Sequence, residues 1–178
     1  VGRAPALDRS VEWVVSDYLV PAVLALTLLG LWFVGDSASA RLKNQVGVLV
    51  ALSSMALSSG TVMLINSMYF RPRPFADHDV SLLFYQPTDS SFPANPAAAT
   101  FAIAAAVWGI NRRAGLALFV VAGLYGAARV YAGVHYPLDI VAGALIAFVV
   151  TFLVFKLRDL LEPLPTMVIK AARILCLA

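Results

Sequence analysis

Long apolar runs separated by short polar breaks dominate the chain, a pattern unlike the one-faced periodicity of a helix on a soluble core. A bilayer core is crossed by about 20 mostly apolar helical residues, with roughly 17 to 25 tolerated. Five segments fit that template, from about Tyr18 to Val34, Gln45 to Tyr69, Ala94 to Ile110, Ala114 to Val134 and Leu138 to Leu157. A turn with Gly35, Asp36, Arg41 and Lys43 divides the first two. Ahead of them, Leu7 to Asp17 mixes Val11, Trp13, Val14 and Val15 with charges, which suits an amphipathic helix lying at the interface. Behind the fifth, Glu162, Pro163 and Pro165 break the helix, and Met167 to Ala178 sets Lys170 and Arg173 among apolar residues, predicting a second interfacial segment. The expected fold is all-α: an integral membrane helical bundle of about five transmembrane helices with interfacial helices at the termini, one domain over residues 1–178.

Composition supports this reading. Of 178 residues, 61% are hydrophobic and 13% charged, against about half and about a quarter in soluble domains. A mean hydropathy of +0.84 also excludes intrinsic disorder. Val1 to Asp17 spreads its charges and lacks the basic, apolar and small-residue succession of a signal peptide. Cys176 is the single cysteine, so the chain has no internal disulfide and no Cys/His zinc cluster; no cofactor is expected. The alanines at 97–99, 102 and 104–106 predict close helix packing in the third span.

The net charge of +3 is bland until its residues are sorted by side. Five spans place the N-terminus, the long connection from Phe70 to Pro93 and the turn after the fourth span on one side. That side carries Arg3, Arg9, Arg71, Arg73 and Arg129 against Asp8, Glu12, Asp17, Asp77, Asp79, Asp89 and Asp139, a balance of −2. The other side carries Arg41, Lys43, Arg112, Arg113, Lys156, Arg158, Lys170 and Arg173 against Asp36, Asp159 and Glu162, a balance of +5. The basic side is expected to be cytoplasmic, which places the acidic side outside, at a plasma or cell inner membrane.

The unusual polar residues gather on the acidic side. Ionisable residues at the end of an apolar span are costly and mark function by default. Pro137 suits the first turn of the fifth helix, and a helix beginning near His135 would place Asp139 four residues on, on the same face. A carboxylate bonded to one ring nitrogen would orient the other as nucleophile or base. Arg129 offers a planar fork for phosphate or carboxylate, and Arg71 and Arg73, held extended by Pro72 and Pro74, add two more on the same face. Each arginine taken alone could equally be a headgroup anchor, and His135 a helix cap; their convergence on one face points to an anion site.

Arg129, five residues, His135, three residues, Asp139 resembles the third signature of the type 2 phosphatidic acid phosphatase family of lipid phosphate phosphatases. Phe70 to Phe75 resembles the end of the first signature, and Ser91, Phe92 and Pro93 the opening of the second. Within the family the chain looks most like the bacitracin-resistance type of undecaprenyl diphosphate phosphatase. The resemblance covers about Asn66 to Ala144. It implies that His135 attacks phosphorus to form a phosphohistidine, that Asp139 orients it, and that Arg73 and Arg129, with Arg71 and Asn66 nearby, hold the phosphate oxygens, with no metal required. Phosphoryl transfer rests mainly on such positioning and charge stabilisation.

Two signatures depart from the family pattern. The first normally opens on lysine, a place taken here by Asn66, which donates a hydrogen bond without charge. The second normally reads Pro-Ser-Gly-His or Pro-Ser-Asp-His, whereas this chain has Pro93, Ala94, Asn95 and Pro96. The histidine that protonates the leaving oxygen is therefore missing, a loss worth about 100- to 10,000-fold. His78 is the candidate substitute, with Asp77, Asp79 and Asp89 as weaker ones; the bland reading of His78 is a solvated loop histidine. A diphosphate, whose departing phosphate is a good leaving group, depends less on that acid. The expected function is thus a membrane phosphatase acting on a polyprenyl diphosphate or related lipid phosphate. The alternative is a catalytically degenerate member serving as lipid-phosphate binder or subunit of a membrane complex. A transporter reading is disfavoured, because the spans carry no charges at their centres. The bilayer and a lipid phosphate are the expected partners, and nucleic acid is not.

Overall fold

The computed structural model describes residues 5–158 apart from Asp79, Ser81 and Phe84, and beyond them Pro165, residues 167–169 and Ala171. Among these the elements are all helical: α1 (Pro5–Val15), α2 (Leu19–Phe33), α3 (Ala38–Met68), α4 (Pro74–Asp77), α5 (Asn95–Trp108), α6 (Arg112–Tyr131) and α7 (Pro137–Leu157). Most of the expected C-terminal interfacial segment lies outside the described residues.

Helix ends follow local chemistry that hydropathy does not register. The Ser37 side chain accepts from the Ala40 N–H at 3.2 Å, which starts α3 a full two turns before the expected apolar boundary at Gln45 and brings Arg41 and Lys43 into the helix. Asn111 caps α6 by accepting from the N–H groups of Arg113 and Ala114, both at 3.1 Å. Pro137 opens α7, so that helix begins two residues after His135 rather than at it.

Three helices, α3, α6 and α7, are long and apolar enough to cross a membrane, and a fourth crossing is reached if α1 and α2, bent by 51° at their junction, count as one. The third expected span, Ala94 to Ile110, corresponds to α5, whose 14 residues extend only about 21 Å at 1.5 Å per residue. The multi-pass membrane architecture therefore stands.

α5 packs against α3, α6 and α7. Ala97, Ala98, Ala102, Ala104 and Ala106 are buried along it, and their small side chains let the neighbouring backbones come close. The tightest approach is from α7: a Cβ on Gly143 would stand 2.5 Å from the Ala94 carbonyl oxygen. Large apolar side chains such as Leu26, Met63, Leu64, Leu124, Leu145 and Phe152 point outward and are exposed, as a lipid-facing surface requires.

At one end of the bundle, the α1–α2 elbow, the 69–94 connection and the turn after α6 meet through Asp17–Arg129 and Arg71–Asp139 ion pairs. Lys43 and Arg158 line a hollow at the other end with Gly109 and Ile110. Of the charges sorted by side, Arg3, Asp79, Asp159, Glu162, Lys170 and Arg173 lie outside the described residues.

Candidate active site

After α6 the chain reverses over Ala132–Tyr136. Gly133 has φ +74°, a left-handed conformation that a residue with a Cβ adopts only under strain. The reversal delivers His135 into the interior, where it is 2% exposed. Its Nδ1 lies 3.0 Å from the Ser91 carbonyl oxygen, and its Nε2 lies 3.1 Å from an Arg73 guanidinium nitrogen. A carbonyl only accepts and a guanidinium only donates. The partners therefore define the tautomer: Nδ1 carries the proton and Nε2 presents a lone pair. Burial holds the imidazole below its ordinary value against the opposing pull of Asp139, and the Arg73 charge works with burial. The ring is accordingly a neutral base or nucleophile.

Asp139 does not make the direct bond to His135 that the four-residue spacing suggests; its Oδ2 stands 3.8 Å from Nδ1, beyond hydrogen-bond reach. That spacing argument assumed both residues on one helix, whereas His135 precedes α7. The Asp139 carboxylate instead accepts from the Ser91 hydroxyl at 2.5 Å, the Tyr136 N–H at 2.9 Å and Arg71 at 2.8 Å. Asp139 is fully buried, so these three donors are what make its charge tolerable. It bears on His135 through Ser91, whose hydroxyl it holds and whose carbonyl takes the ring proton.

The arginines divide into two groups. Arg73, in extended backbone before α4, is 5% exposed and donates to the Val134 carbonyl, the Asp89 carbonyl and the Asp89 carboxylate at 2.9, 3.1 and 2.8 Å. Arg71 joins the same network through Asp139 and lies 4.3 Å over the Tyr136 ring. Arg129, in the last turn of α6, donates to the Asp17 carboxylate and the Tyr125 hydroxyl, each at 2.5 Å. The structure thus gathers His135, Asp139, Arg71 and Arg73 in one network, while the Arg129 side chain belongs to a second group with Asp17 and Tyr125.

Asn66 and His78 stand apart. Asn66 Oδ1 is buried with no hydrogen-bond partner among the described residues. His78 is exposed, its ring 6.3 Å from that of Tyr136, which places it at the rim and outside the buried network. Asp79 lies outside the described residues. Ala94 is fully buried, and its N–H donates to the Asp139 carbonyl at 3.1 Å. Pro96 sits in the first turn of α5, where its missing N–H costs nothing. It lines an otherwise largely apolar cavity of about 460 Å³ between α2, α3, α5 and α6, together with Asp17, Asn95 and Tyr125.

Ser91, Asp17 and Tyr125 are the members that sequence reasoning missed. Ser91 was visible only as the opening of the second signature, and Asp17 only as one of several acids on the correct side. No group of three or more His, Cys, Asp or Glu among the described residues is placed to hold a metal ion.

The chain has relatives among known proteins in both sequence and fold. The chain is 31% identical over 156 residues to the undecaprenyl-diphosphatase BcrC of Bacillus subtilis, covering 88% of this chain and 78% of that one. Its fold matches the crystal structure of Aquifex aeolicus LpxE with a TM-score of 0.61 and 29% identity, covering 87% and 88% of the two chains. It also matches, as fold alone at 19% identity, the PAP2-type phosphatidylglycerolphosphate phosphatase of Bacillus subtilis, with a TM-score of 0.62 over 91% and 81%. The family model of the PAP2 superfamily matches residues 47–162, about two thirds of the sequence, and the chain belongs to that superfamily.

Proposed function

We propose that this protein is a membrane lipid-phosphate phosphatase that removes the terminal phosphate of a polyprenyl diphosphate through a phosphohistidine at His135. The observation that carries the reading is the neutral imidazole, its Nδ1 proton held by the Ser91 carbonyl and its Nε2 lone pair beside Arg73. In the reaction, Nε2 would bond to phosphorus while Arg73 and Arg129 draw charge from the equatorial oxygens. Water then cleaves the P–N bond and restores the neutral ring. Asp139 and Arg71 are positioning residues that hold Ser91 and the turn. A diphosphate fits a site with Pro96 in the acid position, because its leaving group departs as a stabilised phosphate.

In this reading α2 and α5 complete five crossings, α1 lies at the interface, and the acidic end with the site faces away from the cytoplasm. A second reading is favoured by Asn66, Ala94 and Pro96: a chain that binds lipid phosphate without turning it over, alone or in a membrane complex. Phosphate release from undecaprenyl diphosphate by the purified protein separates the two. The expected result is turnover by the unmodified chain that disappears in His135→Ala; equal release by that variant, or none by the unmodified chain, contradicts the hydrolase reading.

A further inference from the structure

Both phosphate-binding arginines are occupied by the protein's own carboxylates, and the two pairs differ in construction. Arg73 is fastened by Val134, His135 and both oxygen types of Asp89, so removing the Asp89 carboxylate leaves it anchored. Arg129 is held differently: the guanidinium nitrogen that meets the Tyr125 hydroxyl also meets Asp17, and Asp17 belongs to the three-residue elbow between α1 and α2. The Asp17 side chain is 45% exposed, while that of Arg129 is 4% exposed. The cation is therefore built into the bundle, and the anion covers it from a joint. The other Asp17 oxygen accepts from Tyr85 at 3.1 Å, which ties the elbow to the same connection that supplies Asp89.

Asp17 also lies on the cavity that Pro96 lines. That cavity is walled mainly by apolar side chains, including Leu24, Leu28, Leu52, Met55 and Ile103, and Asp17 is its one ionised lining residue among the described residues. The Asp17 carboxylate on the Arg129 guanidinium presents there the negative charge and acceptor oxygen that a phosphate would bring.

We propose that Asp17 holds the place of a phosphate oxygen on Arg129, and that a phosphate-bearing ligand binds by exchanging with this carboxylate. Asp17 is thereby an affinity-setting residue: it neutralises a buried arginine and imposes a cost that a multiply charged phosphate overcomes and a weaker anion does not. This rests on the assignment of Arg129 to phosphate, and it holds whether or not the bound phosphate is turned over.

The test measures binding, so that it is independent of catalysis. Affinity for inorganic diphosphate is determined by calorimetry on the full chain in lipid nanodiscs for the unmodified protein, Asp17→Asn, Asp17→Glu and Asp36→Asn. Asp17→Asn removes the competing charge while keeping a side chain of the same shape, and is expected to bind about tenfold more tightly, the worth of one charge-assisted hydrogen bond. Asp17→Glu keeps the competitor and should stay near the unmodified value. Asp36→Asn makes the same change in net charge at the opposite end and should do likewise. Tyr85→Phe, which only loosens Asp17, gives a smaller tightening and serves if Asp17→Asn does not fold. Unchanged binding in Asp17→Asn overturns the proposal. Weaker binding also overturns it, showing that Asp17 merely positions Arg129. Equal tightening in Asp36→Asn would reduce the effect to bulk charge and contradict it as well. A chain without turnover that still shows the tenfold difference would defeat the hydrolase reading and leave this inference standing.

Discussion

Residues 129–139 and residues 91–96 converge on one carboxylate, Asp139, yet they carry opposite chemical fates. In the first stretch the parts of the proposed nucleophile are assembled: a glycine in the left-handed region reverses the chain, His135 is buried in a defined tautomer, and Arg129 stands at the end of α6. In the second, the Ser91 carbonyl and hydroxyl meet His135 and Asp139, but Ala94 and Pro96 offer no side-chain donor. The difference teaches that the nucleophile's scaffold does not depend on the acid's position. Pro96 costs α5 nothing in its first turn, so the fold is indifferent to the loss, and only the chemistry of the leaving group registers it.

The largest expected effect tests the intact half. Arg129→Ala removes one of the two cations proposed to face the transferred phosphoryl group and should lower kcat/KM by about 100- to 1,000-fold on undecaprenyl diphosphate. The degenerate half is sharpened by restoring what it lacks. Ala94→Ser with Pro96→His should raise turnover of a prenyl monophosphate by about 100-fold, with a smaller gain on the diphosphate of the same chain; equal gains on both would break the leaving-group explanation. The seam between the halves is next. Gly143→Ala pushes a methyl group into the Ala94 carbonyl and should destabilise the protein by about 1 to 3 kcal/mol, read as a lowered thermal midpoint in detergent. The smallest effect is in pH. Since burial depresses His135, its reactive neutral form persists below the ordinary value of 6.5. The acidic limb of kcat/KM should therefore lie below 6.5, whereas a limb above it would mean that the charged imidazole is the favoured form in the site.

The membrane helices were legible because lipid demands continuous apolar runs, and α6 and α7 lie within a few residues of their expected bounds. Where the reading slipped, hydropathy was answering a different question. It locates the lipid-immersed part of α3, while Ser37 and the polar first turns decide where the helix begins. His135, Asp139, Arg71, Arg73 and Arg129 were legible as types gathered on one face. The route from Asp139 to His135 was not, because a four-residue spacing places two side chains together only inside a helix, and Tyr136 still lies ahead of α7. Asp17, 112 positions away from Arg129 in sequence, carries no local signal of its partner; only the packing of the α1–α2 elbow on α6 brings the two into contact.

The central claim is that His135 becomes covalently phosphorylated although the acid position is empty of any acid. Rapid acid-free quenching of the unmodified protein with undecaprenyl diphosphate labelled in its terminal phosphate tests it most directly. The account predicts labelled protein that is stable in base, labile in acid and absent from His135→Ala. Phosphate release without a labelled intermediate, or the same label in His135→Ala, would contradict it.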